Sequence, residues 1–169
     1  MIDERIRNRC AFSCDRSIVP YQPVNVVHWL DDLAAFIDAR RRGYATTLCA
    51  ILPHDMNMAV IWASNDIPDV CVHEYASTPR GVERKPKFTA LGHAERIAIE
   101  ECARRGLPTR GAALAVNWFP CLSCAHAIGN AGIARVIARP PDDDYQPDSY
   151  DFPAARKVLA DAGVDLTLV

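Results

Sequence analysis

The 169 residues carry 19 Lys and Arg against 21 Asp and Glu, a formal net charge of −2, which argues against a long polyphosphate-binding surface. Half of the residues are apolar and 24% charged, the balance of a soluble globular chain, and no apolar run approaches the roughly 18–20 residues that span a bilayer. The charged opening Met1-Ile2-Asp3-Glu4-Arg5 leads into no secretory apolar core, so a cytoplasmic protein is expected.

Residues 1–25 lack a sustained period and contain Pro20 and Pro23, which predicts an irregular arm ahead of one domain over 26–169. Val26 to Arg42 reads as a helix, with Val26, Leu30, Leu33 and Ile37 at spacings of three and four, closed by Gly43. Thr46–Leu52 and Met58–Ala63 are β-type runs around Pro53-His54-Asp55, the pattern of a hairpin. A long polar connection follows, broken by Pro79, Gly81 and Pro86; a connection of that length is usually functional.

Gly92 and His93 open a helix predicted to run to Arg105, stopped by Gly106 and Pro108. Ala112–Trp118 is a strand, Leu122–Ala131 a helix and Ile133–Ala138 a strand. Beyond an acidic, proline-bearing loop, Phe152–Ala162 forms a last helix and Val164–Val169 a terminal strand. Alternation of this kind predicts an α/β fold, a sheet with helices on both faces and right-handed crossovers.

Seven cysteines, an odd number, make a poor disulfide framework and favour reduced thiols. Cys49 and Cys102 sit in apolar stretches as small buried residues, whereas Cys10 and Cys14 have no nearby partner to complete a metal site. Two segments carry chemistry: His93-Ala94-Glu95 at one helix start, and Pro120-Cys121-Leu122-Ser123-Cys124 at another. One imidazole and two thiolates are the three protein ligands of a catalytic zinc that keeps a fourth position for water. Cys121 and Cys124, three apart at a helix start, point the same way, and the helix dipole favours their thiolates. Pro120 is expected to preset the first helical turn. Zinc lowers the pKa of bound water from ~15.7 towards 7, and the carboxylate of Glu95 can take that proton and pass it on. Residues two apart do not share a helix face, so His93 is expected at or just outside the first turn, with Glu95 reaching back. A structural zinc or redox pair is the alternative; His126 is the one near candidate for a fourth ligand, on another helix face. Together the segments match the H-x-E and P-C-x-x-C signature of zinc deaminases.

At these residues the chain resembles the cytidine and deoxycytidylate deaminase superfamily, in particular its dCMP-deaminase-like branch. The resemblance runs through Gly92–Ile99, Trp118–Ala125, Ala131-Gly132-Ile133, Arg135-Val136, the segment Ser64-Asn65-Asp66-Ile67-Pro68 and the end Ala155–Val164, and covers roughly residues 45–169. It implies a three-layer α/β/α fold with a five-stranded mixed sheet, one Zn2+ per chain at two helix N-termini, and a homo-oligomer. It also implies that Asn65 contacts the substrate and that the backbones of Ala94 and Cys121 meet the base. Ile97 stands where the branch usually has Asn, and Arg41-Arg42-Gly43-Tyr44 replaces its usual polar segment.

Trp118 and Phe119 lie beside the metal motif, where one either stacks on the base or packs in the core. His73, with Glu74 and Tyr75, is a candidate for lining the pocket; Arg80, Arg84, Lys85 and Lys87 are either phosphate contacts or a solvated basic loop. The expected activity is hydrolytic removal of the exocyclic amine of a nucleobase, nucleoside or mononucleotide, cytosine type favoured, with release of ammonia. Deamination of guanine, another purine or a triazine, editing of tRNA or single-stranded nucleic acid, and a non-catalytic zinc-stabilised subunit are the rival readings. The acidic balance weighs against a polynucleotide partner, and intact Glu95 against the silent subunit.

Overall fold

A computed structural model describes residues 27, 28, 30–32, 34, 35, 47–52, 61–65, 91–141 and 150–169. The 1–25 arm, the hairpin turn, His73, the basic loop residues and Asp142-Asp143-Asp144 lie outside these residues. Five strands form one sheet: β1 (Leu48–Leu52), β2 (Ile61–Ser64), β3 (Ala113–Val116), β4 (Arg135–Ala138) and β5 (Asp165–Leu168). Their order is β2-β1-β3-β4-β5. β1 is antiparallel to both β2 and β3, whereas β3, β4 and β5 are parallel, so the sheet is mixed as expected.

The parallel part is joined by helices α2 (Leu122–Asn130) and α3 (Phe152–Asp161), and α1 (Ala94–Arg104) precedes β3. Central strands are buried on both sides, and their sequences are accordingly apolar without alternation. Cys49, Ile51, Leu114, Val116, Val136 and Ala138 pack with α1, α2 and α3 in the larger core. Leu48, Leu52, Ala115 and Ile137 belong to a second core with Val27, Leu30 and Ala34, which are helical. These helical residues between 27 and 35 supply the other outer layer. Arg139, just past β4, ties that layer down by donating from Nε to Asp31 Oδ2 at 3.0 Å and from Nη2 to His28 Nδ1 at 3.2 Å.

All three complete helices stop in the same way. Gly106, Gly132 and Gly163 adopt left-handed φ values of 66°, 70° and 71° just past the helix ends. The next residue's N–H then bonds back to the last turn: Leu107 to Cys102 O, Ile133 to Ile128 O, Val164 to Leu159 O. Each of these pairs is apolar, the usual companion of this motif. A side chain would strain these positions, so glycine is the residue that allows the chain to turn from helix into strand.

Observed elements are shorter than predicted at several ends, and β3 shows why. The sequence predicts a strand to Trp118, but the strand ends at Val116. Leu48 N–H is accepted by the Asn117 side chain, Oδ1 at 2.7 Å, instead of a strand carbonyl. Asn65 does the same after β2: its Oδ1 accepts from Thr47 N–H at 2.9 Å. Two asparagine side chains thus finish the ladder on either side of β1, and both flanking chains are released at one edge of the sheet. That edge is the C-terminal end of the parallel strands, where open α/β sheets bind ligands.

Candidate zinc centre

Two helix starts meet at this edge. His93 is the N-cap of α1, with φ −80° and ψ 143°, and Cys121 is the N-cap of α2, with φ −71° and ψ 170°. Each carbonyl accepts the first helical bond, from Ile97 N–H at 3.0 Å and Ala125 N–H at 2.9 Å. Neither side chain caps its own helix. Both turn instead to a common point: His93 Nδ1 lies 3.4 Å from Cys121 Sγ and 3.4 Å from Cys124 Sγ. The expected place of His93, at the boundary of the first turn, agrees with this geometry. Pro120 is a correction, because it precedes the N-cap and lies outside the first turn. A proline there restricts the residue before it, Phe119, rather than the helix.

The donor set fits zinc. The three ligand atoms lie within 4.8 Å of one another. With Zn–S of about 2.3 Å and Zn–N of about 2.0–2.1 Å, a tetrahedral site separates sulfur from nitrogen by about 3.6 Å. The observed 3.4 Å is close to that edge. Cys121 and Cys124 are almost fully buried and His93 partly so. Among the described residues the group holds one imidazole and two thiols, the three protein ligands that a catalytic zinc takes. His126 is exposed.

Electrostatics follow from the crowding of donors. Cys121 is held well below the ordinary thiol range, chiefly by its hydrogen bond with Cys124 and further by those with His93 and Ser123. Cys124, the other half of that bond and more deeply buried, is raised. His93 is raised, chiefly by its hydrogen bond with Cys121. A metal that takes these ligands must displace their protons. Ser123 was not singled out by the sequence; its Oγ lies 3.2 Å from Cys121 Sγ.

Glu95 sits at the second position of α1 and is only 3% exposed. Burial raises its carboxyl above the ordinary value. Below it, Cys49 on β1 is fully buried and its thiol is pushed up, first by burial and then by the charge of Glu95. Ala94, at the first helical position, is fully buried.

The other predicted site residues divide. Asn65 is 7% exposed and stands at the same sheet edge, its backbone N–H donating to Thr47 O at 2.9 Å. Trp118 is half-buried just beyond β3. Phe119 is a correction: it is 1% exposed, edge-on to Phe152 with centroids 5.5 Å apart, under the Arg156 guanidinium at 4.8 Å. Its ring packs in the larger core. Ile97, where the related branch has a polar residue, packs against the larger core. Tyr150 was missed altogether, because nothing in its local sequence marks an aromatic that meets His93 across the fold.

Fold and site define the class: an α/β/α protein with a His-Cys-Cys donor set of zinc type where two helix N-termini meet. A family model for the cytidine and deoxycytidylate deaminase zinc-binding region matches residues 58–139. Deoxycytidylate deaminase of Mus musculus is 32% identical over 133 residues, 77% of this chain and 72% of its own length. ComE operon protein 2 of Bacillus subtilis is 36% identical over 77 residues, 46% of this chain but only 37% of that protein. Among solved structures, dCMP deaminase of cyanophage S-TIM5 in complex with dCMP and dUMP superposes with a TM-score of 0.60 at 17% identity, over 88% of this chain and 99% of that one. The chain belongs to the cytidine and deoxycytidylate deaminase family, enzymes of zinc-dependent hydrolytic deamination.

Proposed function

We propose that the protein hydrolyses the exocyclic amine of a cytosine-type nucleotide, dCMP-like, to the carbonyl and ammonia. The observation that carries this reading is the convergence of His93, Cys121 and Cys124 within 4.8 Å of one another beside the buried Glu95. The likeness to deoxycytidylate deaminases supports the substrate class.

His93 Nδ1 and the sulfurs of Cys121 and Cys124 would hold the zinc. Bound there, zinc supplies the Lewis acidity that makes water a nucleophile near neutral pH. Glu95 accepts a proton from water and delivers protons to the ring nitrogen and the departing amine. Its burial raises its proton affinity above that of a free carboxyl. The positive ends of α1 and α2 favour the thiolates and the charge that develops on the ring. The backbone N–H groups of Ala94 and Cys121 meet the base, Asn65 the sugar or base, and Trp118 offers a ring face beside it. His73 and the basic residues 80, 84, 85 and 87 are candidates for the outer wall and the phosphate. We further propose a homo-oligomer acting in the cytoplasm on a small molecule, with no polynucleotide partner. No helix among the described residues is long and apolar enough to cross a membrane.

The test is ammonia release from cytosine, adenine and guanine as bases, nucleosides and monophosphates, with zinc content measured on the same samples. Turnover is expected to be highest for dCMP. Fully zinc-loaded protein that acts only on purines, or on none of the panel, would overturn the reading.

A further inference from the structure

The two halves of the zinc centre are 28 residues apart in sequence, yet their ligand atoms stand at bonding separation. Something must hold the two helix starts in register. One residue touches both. Tyr150, the residue before the α3 N-cap, accepts a hydrogen bond at its carbonyl from Leu122 N–H at 2.8 Å. Leu122 is the first residue of α2 and follows Cys121 directly, so this bond satisfies one of the orphan donors at that helix start. The ring of the same tyrosine stands edge-on to the His93 imidazole, with centroids 6.0 Å apart and planes at 77°.

The contact does not end there. Tyr150 meets Phe152 at 5.7 Å and 61°, and Phe152 meets Phe119 at 5.5 Å and 87°. Phe119 is two residues ahead of Cys121. The path therefore closes on itself: His93, Tyr150, Phe152, Phe119, then along the chain to Cys121. Asp151 makes the corner. It takes a left-handed φ of 41° while its side chain accepts from Ala154 N–H at 3.1 Å, which starts α3 with Phe152 buried at 3% exposure.

We propose that Tyr150 is a positioning residue of the zinc centre: its ring sets the plane of the His93 imidazole while its carbonyl sets the start of the helix that carries both thiolates. The inference rests on the zinc reading above. An edge-to-face aromatic contact of this kind is worth about 2- to 13-fold in an equilibrium constant. Edge-to-face contact needs the ring and not the hydroxyl, so phenylalanine should replace tyrosine.

The experiment uses the full chain with Tyr150→Phe, Tyr150→Leu, Tyr150→Ala and His93→Ala. Zinc affinity is measured by competition with a chromophoric chelator, and the ligand field by the visible spectrum of the cobalt-substituted protein. Thermal midpoints are recorded for the metal-free forms. Expected are near-wild-type affinity and spectrum for Tyr150→Phe, and about 2- to 13-fold weaker zinc binding with a displaced cobalt band for Tyr150→Leu and Tyr150→Ala. If alanine does not fold, leucine, which retains apolar volume, decides. Unchanged affinity and spectrum with only a lowered midpoint would overturn the proposal, as would failure of both variants to fold, because the tyrosine then serves packing alone. His93→Ala separates the two levels: if it binds zinc as well as the wild type, the zinc reading fails, whereas a normal loss there with inert Tyr150 variants refutes only the present inference.

Discussion

Replacing Glu95 by glutamine should change two measurable properties in opposite directions. Glutamine matches the carboxylate in shape but carries no transferable proton, so the packing of a residue only 3% exposed is retained. Positioned proton transfer contributes about 10²–10⁴-fold to rate, equivalent to about 3–5 kcal/mol of barrier. Turnover should fall by that factor while zinc content, held by His93, Cys121 and Cys124, stays at one ion per chain. The second effect is on the metal-free fold. Burial raises the Glu95 carboxyl above its unfolded value, so the folded state binds the proton more tightly than the unfolded one. The stability this gives is full below the unfolded pKa, about 4.3, and is lost as pH rises through the folded value. Glutamine does not titrate and escapes the loss. The thermal midpoint of metal-free Glu95→Gln should therefore gain on the wild type as pH rises from acid to neutral. Steady-state ammonia release, atomic absorption for zinc and calorimetry of chelated samples at several pH values supply the data. A variant with wild-type turnover would refute the proton-transfer role, and a midpoint difference that does not change with pH would refute the burial argument.

Asn65→Ala removes the buried acceptor for Thr47 N–H, so it should cost about 1–3 kcal/mol in denaturant unfolding and also raise KM. An unaltered KM at full folding would confine Asn65 to the sheet edge. Gly129→Ala inverts the usual helix-propensity gain of about 1 kcal/mol, because the new Cβ would stand 3.0 Å from Ala162 Cβ where α2 meets α3. The single variant should lower the thermal midpoint, and adding Ala162→Gly should recover it. After chelation, iodoacetamide at neutral pH should label Cys121 before Cys49, since the first thiol is held low by its hydrogen bonds and the second is pushed up by burial. Peptide mass spectrometry reads the order, and early labelling of Cys49 would contradict it.

Much of the site was legible before any fold. His93, Glu95, Cys121 and Cys124 are each marked by local sequence, since spacing along a helix start decides which donors converge and zinc chemistry decides which donors are needed. The helix stops were equally plain at Gly106, because a left-handed residue after the last turn is a local requirement. Boundaries were less so. The end of β3 depends on Asn117 lending its side chain to Leu48, a partner 69 residues away that no local pattern announces.

Phe119 marks the limit most clearly. Its neighbours along the chain suggest a place in the pocket, but Phe152 and Arg156, brought in from α3, cover it. Tyr150 is the converse case, an ordinary loop residue by sequence that the fold sets against His93. The chain on its own marked most of the described elements and the four groups proposed for the chemistry, because backbone preference and ligand spacing act within a few residues. Tertiary structure alone decided which side chains surround those groups, because packing and hydrogen bonds between α1, α2, α3 and the sheet edge join residues far apart in sequence.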